Sequence, residues 1–160
     1  DVRTKDNTAK RIAIRLRGKI PLVYGFGKFE GVALRAKAQF NENSKVHSFS
    51  EILPEMNHNG IMGWEAPREL TKRMAVIFIR DREESEEMAK RIEFTEDVVK
   101  NAGGSVIEIH SVYPSELSRI LSVMYTLDFA SVYLGILYRK DPSDTGLITD
   151  LKYILRHGKI

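Results

Sequence analysis

The first stretch, DNTAKRIAIRLRG (6–18), sets Ala9, Ile12, Ala13 and Leu16 at helical spacing, so that one apolar stripe faces inward. Asp6 or Asn7 stands where a cap belongs, and Gly18 where the helix must stop. IPLVYG (20–25) is a short apolar run closed by glycine and predicts a buried strand. FEGVALRAKAQFNENSK (29–45) predicts a helix with Val32, Leu34, Ala38 and Phe40 as inward positions, and VHSFS (46–50) a short strand. MAVIFIRD (74–81) is apolar almost without interruption, as in a strand covered on both faces. EESEEMAKRIEFTEDVVKNAGG (83–104) is amphipathic, with an acidic first turn that suits the helix dipole and a Gly103-Gly104 stop. SVIEIHS (105–111) predicts another strand. PSELSRILSVMYTLDFASVYLGILYRK (114–140) places Pro114 at a first helical position and is apolar almost all round. Such a helix needs cover from a sheet on one side and from a partner on the other. DPSDTG (141–146) is a turn, and LITDLKYILRHG (147–158) a final helix.

Strands alternate with helices throughout. That order predicts an α/β fold: one doubly wound parallel sheet flanked by helices, a flavodoxin-like three-layer sandwich in a single domain over residues 1–160. A chain of 160 residues is long enough to bury a substantial core. Its net charge of +3 is spread along the sequence, with no dense basic stripe to argue for nucleic acid. There is no cysteine, which removes disulfides and thiolate metal sites and fits a cytoplasmic setting. No apolar run is expected to span a membrane, and no signal peptide opens the chain. It starts at Asp1 rather than Met and reads as a piece of something longer.

Four constellations are candidates for chemistry. GFGKFEG (25–31) lies between a strand and a helix, where backbone N–H groups can cradle a phosphate. Its glycine spacing is not that of the dinucleotide fingerprint, although Glu51 lies about 20 residues on, and a tight strand-to-helix turn accounts for it better. In PEMNHN (54–59), Glu55 and His58 are three apart and share a face on a helix; with His47 they make a loose metal set. Pro54 puts Glu55 in a first turn, where capping explains it better. In NENSK (41–45), Glu42 sits near a helix end, where its charge opposes the dipole unless Lys45 offsets it. By itself that is a solvated helix end, yet Asn41 and Asn43 on either side suggest a hydrogen-bonding pocket. In DTGLITDLK (144–152), Thr145 and Lys152 are seven apart and align only if one helix holds both.

The pairing of ALRAKAQFNENSK with LPEMNHNGIMGWE resembles the second sugar-isomerase (SIS) domain of the bifunctional phosphoglucose/phosphomannose isomerases. The match is strongest from Arg35 to Glu65 and runs more weakly to the last helix; Gly60 stands where a glutamate is expected after NHN. The resemblance implies interconversion of glucose 6-phosphate and mannose 6-phosphate with fructose 6-phosphate through a cis-enediol, without metal or other cofactor. It implies Glu42 as the base, His58 as the ring-opening residue acting across a homodimer interface, and Lys152 as the group that moves the hydroxyl proton. Thr145, Asn41, Asn57 and Arg35 are the implied substrate contacts. It further implies a missing N-terminal SIS domain carrying a Ser/Thr-rich phosphate loop, so that this chain alone is expected to be weakly active or inactive. The competing reading is a non-catalytic SIS module that binds a sugar phosphate for regulation; a pure binder has no need of a base.

Overall fold

The computed structural model describes residues 2–158. Its four strands, β1 (Ile20–Phe26), β2 (Phe49–Leu53), β3 (Met74–Asp81) and β4 (Ser105–Ser111), form one parallel sheet in the order β2-β1-β3-β4. Six α-helices accompany them among the described residues: α1 (Thr8–Leu16), α2 (Glu30–Ser44), a single turn α3 (Arg68–Thr71), α4 (Glu86–Asn101), α5 (Glu116–Leu137) and α6 (Gly146–His157). Side chains alternate along each strand, so the sheet has two apolar faces. Val23, Ile77, Ile79, Ile107 and Ile109 point to one face, under α1, α2 and α5. Tyr24, Val76 and Phe78 point to the other, under Ile92 and Val99 of α4 and Met56 and Trp64 of the irregular 54–65 segment. This is the three-layer α/β sandwich that the alternation of elements predicts. The strand order is that of flavodoxin-like sheets.

The local signals act as expected in α1. Its four predicted inward residues are the four that are buried, and Asn7 caps it by accepting from the Lys10 N–H at 3.0 Å. Other expectations need correcting. The buried side of α2 is Val32, Ala33, Ala36 and Phe40, steps of three and four residues that follow the helical period; Leu34 and Ala38 are exposed. α5 starts at Glu116 because the Ser115 hydroxyl takes the cap by accepting from the Ser118 N–H at 3.2 Å, which leaves Pro114 ahead of the helix. β2 covers Phe49–Leu53 rather than 46–50, because Ser48 is still held in the turn by the Asn41 Oδ1 and Pro21 carbonyl acceptors.

α5 corrects a further expectation: by length and apolarity it is the one helix among those described that reaches the dimensions of a membrane span. Its place is in a packed layer. Val123, Leu127, Ala130 and Leu134 are buried against α1, α2 and the sheet. Its other side, with Leu117, Leu121, Tyr125 and Ile136, is exposed. α6 buries nothing at all: Leu147, Leu151 and Leu155 are 88%, 56% and 76% exposed.

All strands run the same way, and each crossover helix runs back. The C-terminal ends of α2 and α5 therefore meet at the edge where the strands begin. A hydrogen bond from the Gly18 N–H, just ahead of β1, to Tyr138 Oη at 2.5 Å, just past α5, fixes that arrangement. The other edge, where strands end, receives the turn after β1, the 54–65 segment and the first turn of α5.

Candidate functional site

At the edge where the strands begin, a cleft of about 510 Å³ opens between the last turn of α2, the 138–145 turn and the first turn of α6. Glu42, Asn41 and Thr145 all line it, with Lys45, Lys140 and three aspartates. Gly135 makes this meeting possible: a Cβ there would sit 2.5 Å from the Asn43 carbonyl oxygen, so only glycine lets α5 come so close to the end of α2. Ser131 then fastens the two helices. Its Oγ accepts from Asn43 Nδ2 at 2.8 Å, and its carbonyl accepts from Ser44 Oγ at 2.7 Å. Asn41 Oδ1 accepts the Ser48 N–H at 2.7 Å. The asparagines around Glu42 thus hold the helix end in place, which is a structural use of the polarity that reads as a pocket in the sequence.

The turn opposite is equally ordered. Asp141 accepts from the Ser143 N–H at 2.9 Å and from Ser143 Oγ at 2.7 Å, and these bonds, aided by the Lys45 charge, hold its carboxyl below the usual range. Asp144 Oδ1 accepts the Gly146 N–H at 2.9 Å at the start of α6. Thr145 occupies the cap position of α6, but its hydroxyl makes no capping bond, so it remains available to the cleft. Glu42 is exposed on the cleft wall.

The other predicted residues lie elsewhere. His58 is exposed on the 54–65 segment beyond β2, at the opposite edge of the sheet from Glu42. The five residues of β2 alone separate those edges by roughly 15 Å. Glu55 and Asn59 meet on that segment at 3.5 Å. Asn57 points inward, donating to Thr95 Oγ1 of α4 at 2.9 Å, with its Oδ1 buried and unpartnered. Arg35 is engaged with Asp128 of α5 in an ion pair at 2.9 Å, partway along the helices rather than in the cleft. Lys152 is exposed on α6, seven residues beyond Thr145 and so about 10 Å farther along the helix axis. Sequence reasoning missed the cleft-lining Asp141, Asp144 and Asp150; the aspartate-rich turn signal was visible but reads only as a turn.

The turn at 25–31 resolves toward its simpler reading. A Cβ on Gly25 would meet the Phe29 carbonyl at 2.8 Å, and Gly27 has φ +48°, so both glycines serve the sharp entry into α2. Between the ends of β1 and β3, where doubly wound folds bind ligands, the space is filled from within. Lys28 Nζ lies 2.7 Å from Asp81, and Arg119 Nε lies 3.0 Å from the same carboxylate. Arg119 also donates to Glu83 Oε1 at 3.0 Å and to the Pro114 carbonyl at 2.9 Å. The side chains of Asp81 and Arg119 are each only 2% exposed. Among the described residues, no three His, Asp or Glu side chains converge as a metal site.

Comparison with known proteins bears on this architecture. The family described as "Bacterial phospho-glucose isomerase C-terminal SIS domain" matches residues 5–155. A bifunctional phosphoglucose/phosphomannose isomerase of Caldicellulosiruptor bescii is 35% identical over 153 residues, 95% of this chain and 45% of the relative. One of Aquifex aeolicus is 35% identical over 92% of this chain and 46% of its own length. A glucose-6-phosphate isomerase like protein from Thermus thermophilus shares the fold with TM-score 0.75 at 22% identity, over 92% of this chain and 49% of that one. This chain thus spans less than half the length of the relatives it matches in sequence. This match across nearly the whole sequence shows that the chain belongs to the C-terminal SIS domain family of the bacterial phosphoglucose isomerases.

Proposed function

We propose that this domain is the C-terminal half of a two-domain isomerase and supplies the base to its active site. The reaction interconverts glucose 6-phosphate, and mannose 6-phosphate, with fructose 6-phosphate. The observation that carries this is the meeting of Glu42 and Thr145 in one cleft although they are far apart in sequence. Glu42 takes the proton from C2 and returns it to C1 through a cis-enediol, with the Thr145 hydroxyl contacting the sugar. Lys152 does not line the cleft in this protomer, standing about 10 Å farther along α6 than Thr145, so no step is assigned to it here. Four carboxylates and two lysines line the cleft, so it suits the polyol part of the substrate and disfavours the phosphate. The phosphate is therefore assigned to an N-terminal SIS domain, for which the extra length of the relatives leaves room.

In one protomer His58 is too far from Glu42 to act on the same sugar. A two-fold homodimer that brings the partner's 54–65 segment to the cleft solves this, and the exposed apolar sides of α5 and α6 are suited to such association. Covering the cleft would also exclude bulk water from the reacting atoms. A non-catalytic sugar-phosphate module makes no use of the Glu42 carboxylate, and that difference is testable. Glu42→Gln, in the longest open reading frame containing this sequence, is expected to cut the isomerase rate by roughly 10²–10⁴-fold while folding persists. Glu55→Gln serves as the control and keeps most of its activity. Retained activity in both variants contradicts the catalytic reading; loss in Glu55→Gln alone means the wrong carboxylate has been assigned.

A further inference from the structure

We infer that Lys45 is a positioning residue that holds Glu42 against the turn carrying Thr145; the inference rests on the isomerase reading above. Lys45 ends α2 in the left-handed region, at φ +57°. That position ordinarily belongs to glycine or asparagine, because a side chain there is strained. A lysine that accepts the strain gains a particular reach. Its chain folds back over the last helical turn, and Nζ donates to the Glu42 carbonyl at 2.6 Å. That carbonyl belongs to the last four of the helix, which have no intrahelical partner. The same ammonium donates to the Asp144 carbonyl at 2.5 Å, across the cleft and one residue before Thr145. One cation thus joins the backbone of the residue proposed as base to the backbone of the turn that presents the substrate contact. The Lys45 charge also acts on Asp141 in the same turn. Serine contacts and Gly135 fix the helices to each other, whereas Lys45 links the Glu42 turn directly to the 141–145 turn.

Glycine at position 45 separates the two effects, because it relieves the left-handed strain while removing the tether. In the longest open reading frame containing this sequence, Lys45→Gly is expected to melt at or above the parent temperature. Its kcat is expected to fall roughly tenfold or more, with KM changed by less than about twofold, as for a misplaced reacting group. Lys45→Arg, which reaches both carbonyls, should recover most of the loss. Backbone amides of 141–146 should exchange faster in Lys45→Gly than in the parent. An unchanged kcat, a rise in KM alone, or no rescue by arginine overturns the positioning role. If Glu42→Gln proves active, the isomerase reading fails by itself, and the exchange measurement still decides the tether: unchanged protection at 141–146 overturns it.

Discussion

The two edges of this sheet handle charge in opposite ways. Where the strands end, Lys28, Asp81, Glu83 and Arg119 answer one another, and the central Arg119–Asp81 pair is shut away from water. Where the strands begin, carboxylates and lysines stand around an open cleft, held by contacts to backbone that leave Glu42 and the Thr145 hydroxyl uncommitted. The first edge is where doubly wound folds ordinarily bind ligands, at the point where strand order reverses between β1 and β3. Here a network of ion pairs occupies it, with the central pair buried and Glu83 still exposed. Fold class therefore does not by itself locate a site.

The contrast breaks most visibly at Arg119. Replacing it with methionine leaves the buried Asp81 with Lys28 as its remaining charged partner, so the cost should approach, without reaching, the about 3–5 kcal/mol of a buried charge left unpaired. Arg119→Met should therefore lower the denaturant midpoint steeply, and Asp81→Asn in the same chain should restore part of the loss. A stability change within about 0.5 kcal/mol, typical of a surface substitution, would show that the strand-ending edge is not sealed.

A smaller change in stability, with more consequence for the cleft, is expected at Gly135. Alanine there places a methyl against the Asn43 carbonyl and should cost about 1–3 kcal/mol, as overpacking does. Because α5 must then back away from the end of α2, the isomerase rate should fall further than the stability loss explains. A rate that follows only the folded fraction would mean that the α2–α5 approach does not shape the cleft.

Much of the fold was legible because its signals are local. The stripe of α1, the unbroken apolar run of β3 and the alternation of strand and helix are each carried by neighbouring residues. The less legible parts depend on distant partners. The inward face of α2 is set by α5 and the sheet, so Ala33 and Ala36 outweigh the larger Leu34. The start of β2 depends on Asn41 reaching Ser48. At the site, NENSK and PEMNHN stand out in the sequence, but nothing in their spacing tells that a five-residue strand carries them to opposite edges. Nor does it tell that Lys45 crosses to a turn 99 residues away. Arg35 reads as a substrate contact in the sequence and is paired with Asp128 in the fold.

The separation of Glu42 from His58 is the centre of this account, because under the proposed isomerase reading one site would have to draw on two protomers. Mixing tests it directly. Glu42→Gln and His58→Ala chains are prepared separately, each in the longest open reading frame containing this sequence, then unfolded, combined in equal amounts and refolded. In a two-fold dimer with shared sites, every mixed dimer holds one site with neither substitution and one site with both. Random pairing then gives about a quarter of the parental rate, well above the average of the two separate variants. A mixture that stays at that average, while mixed dimers are shown to form, would place both residues in the service of one protomer and contradict the shared site.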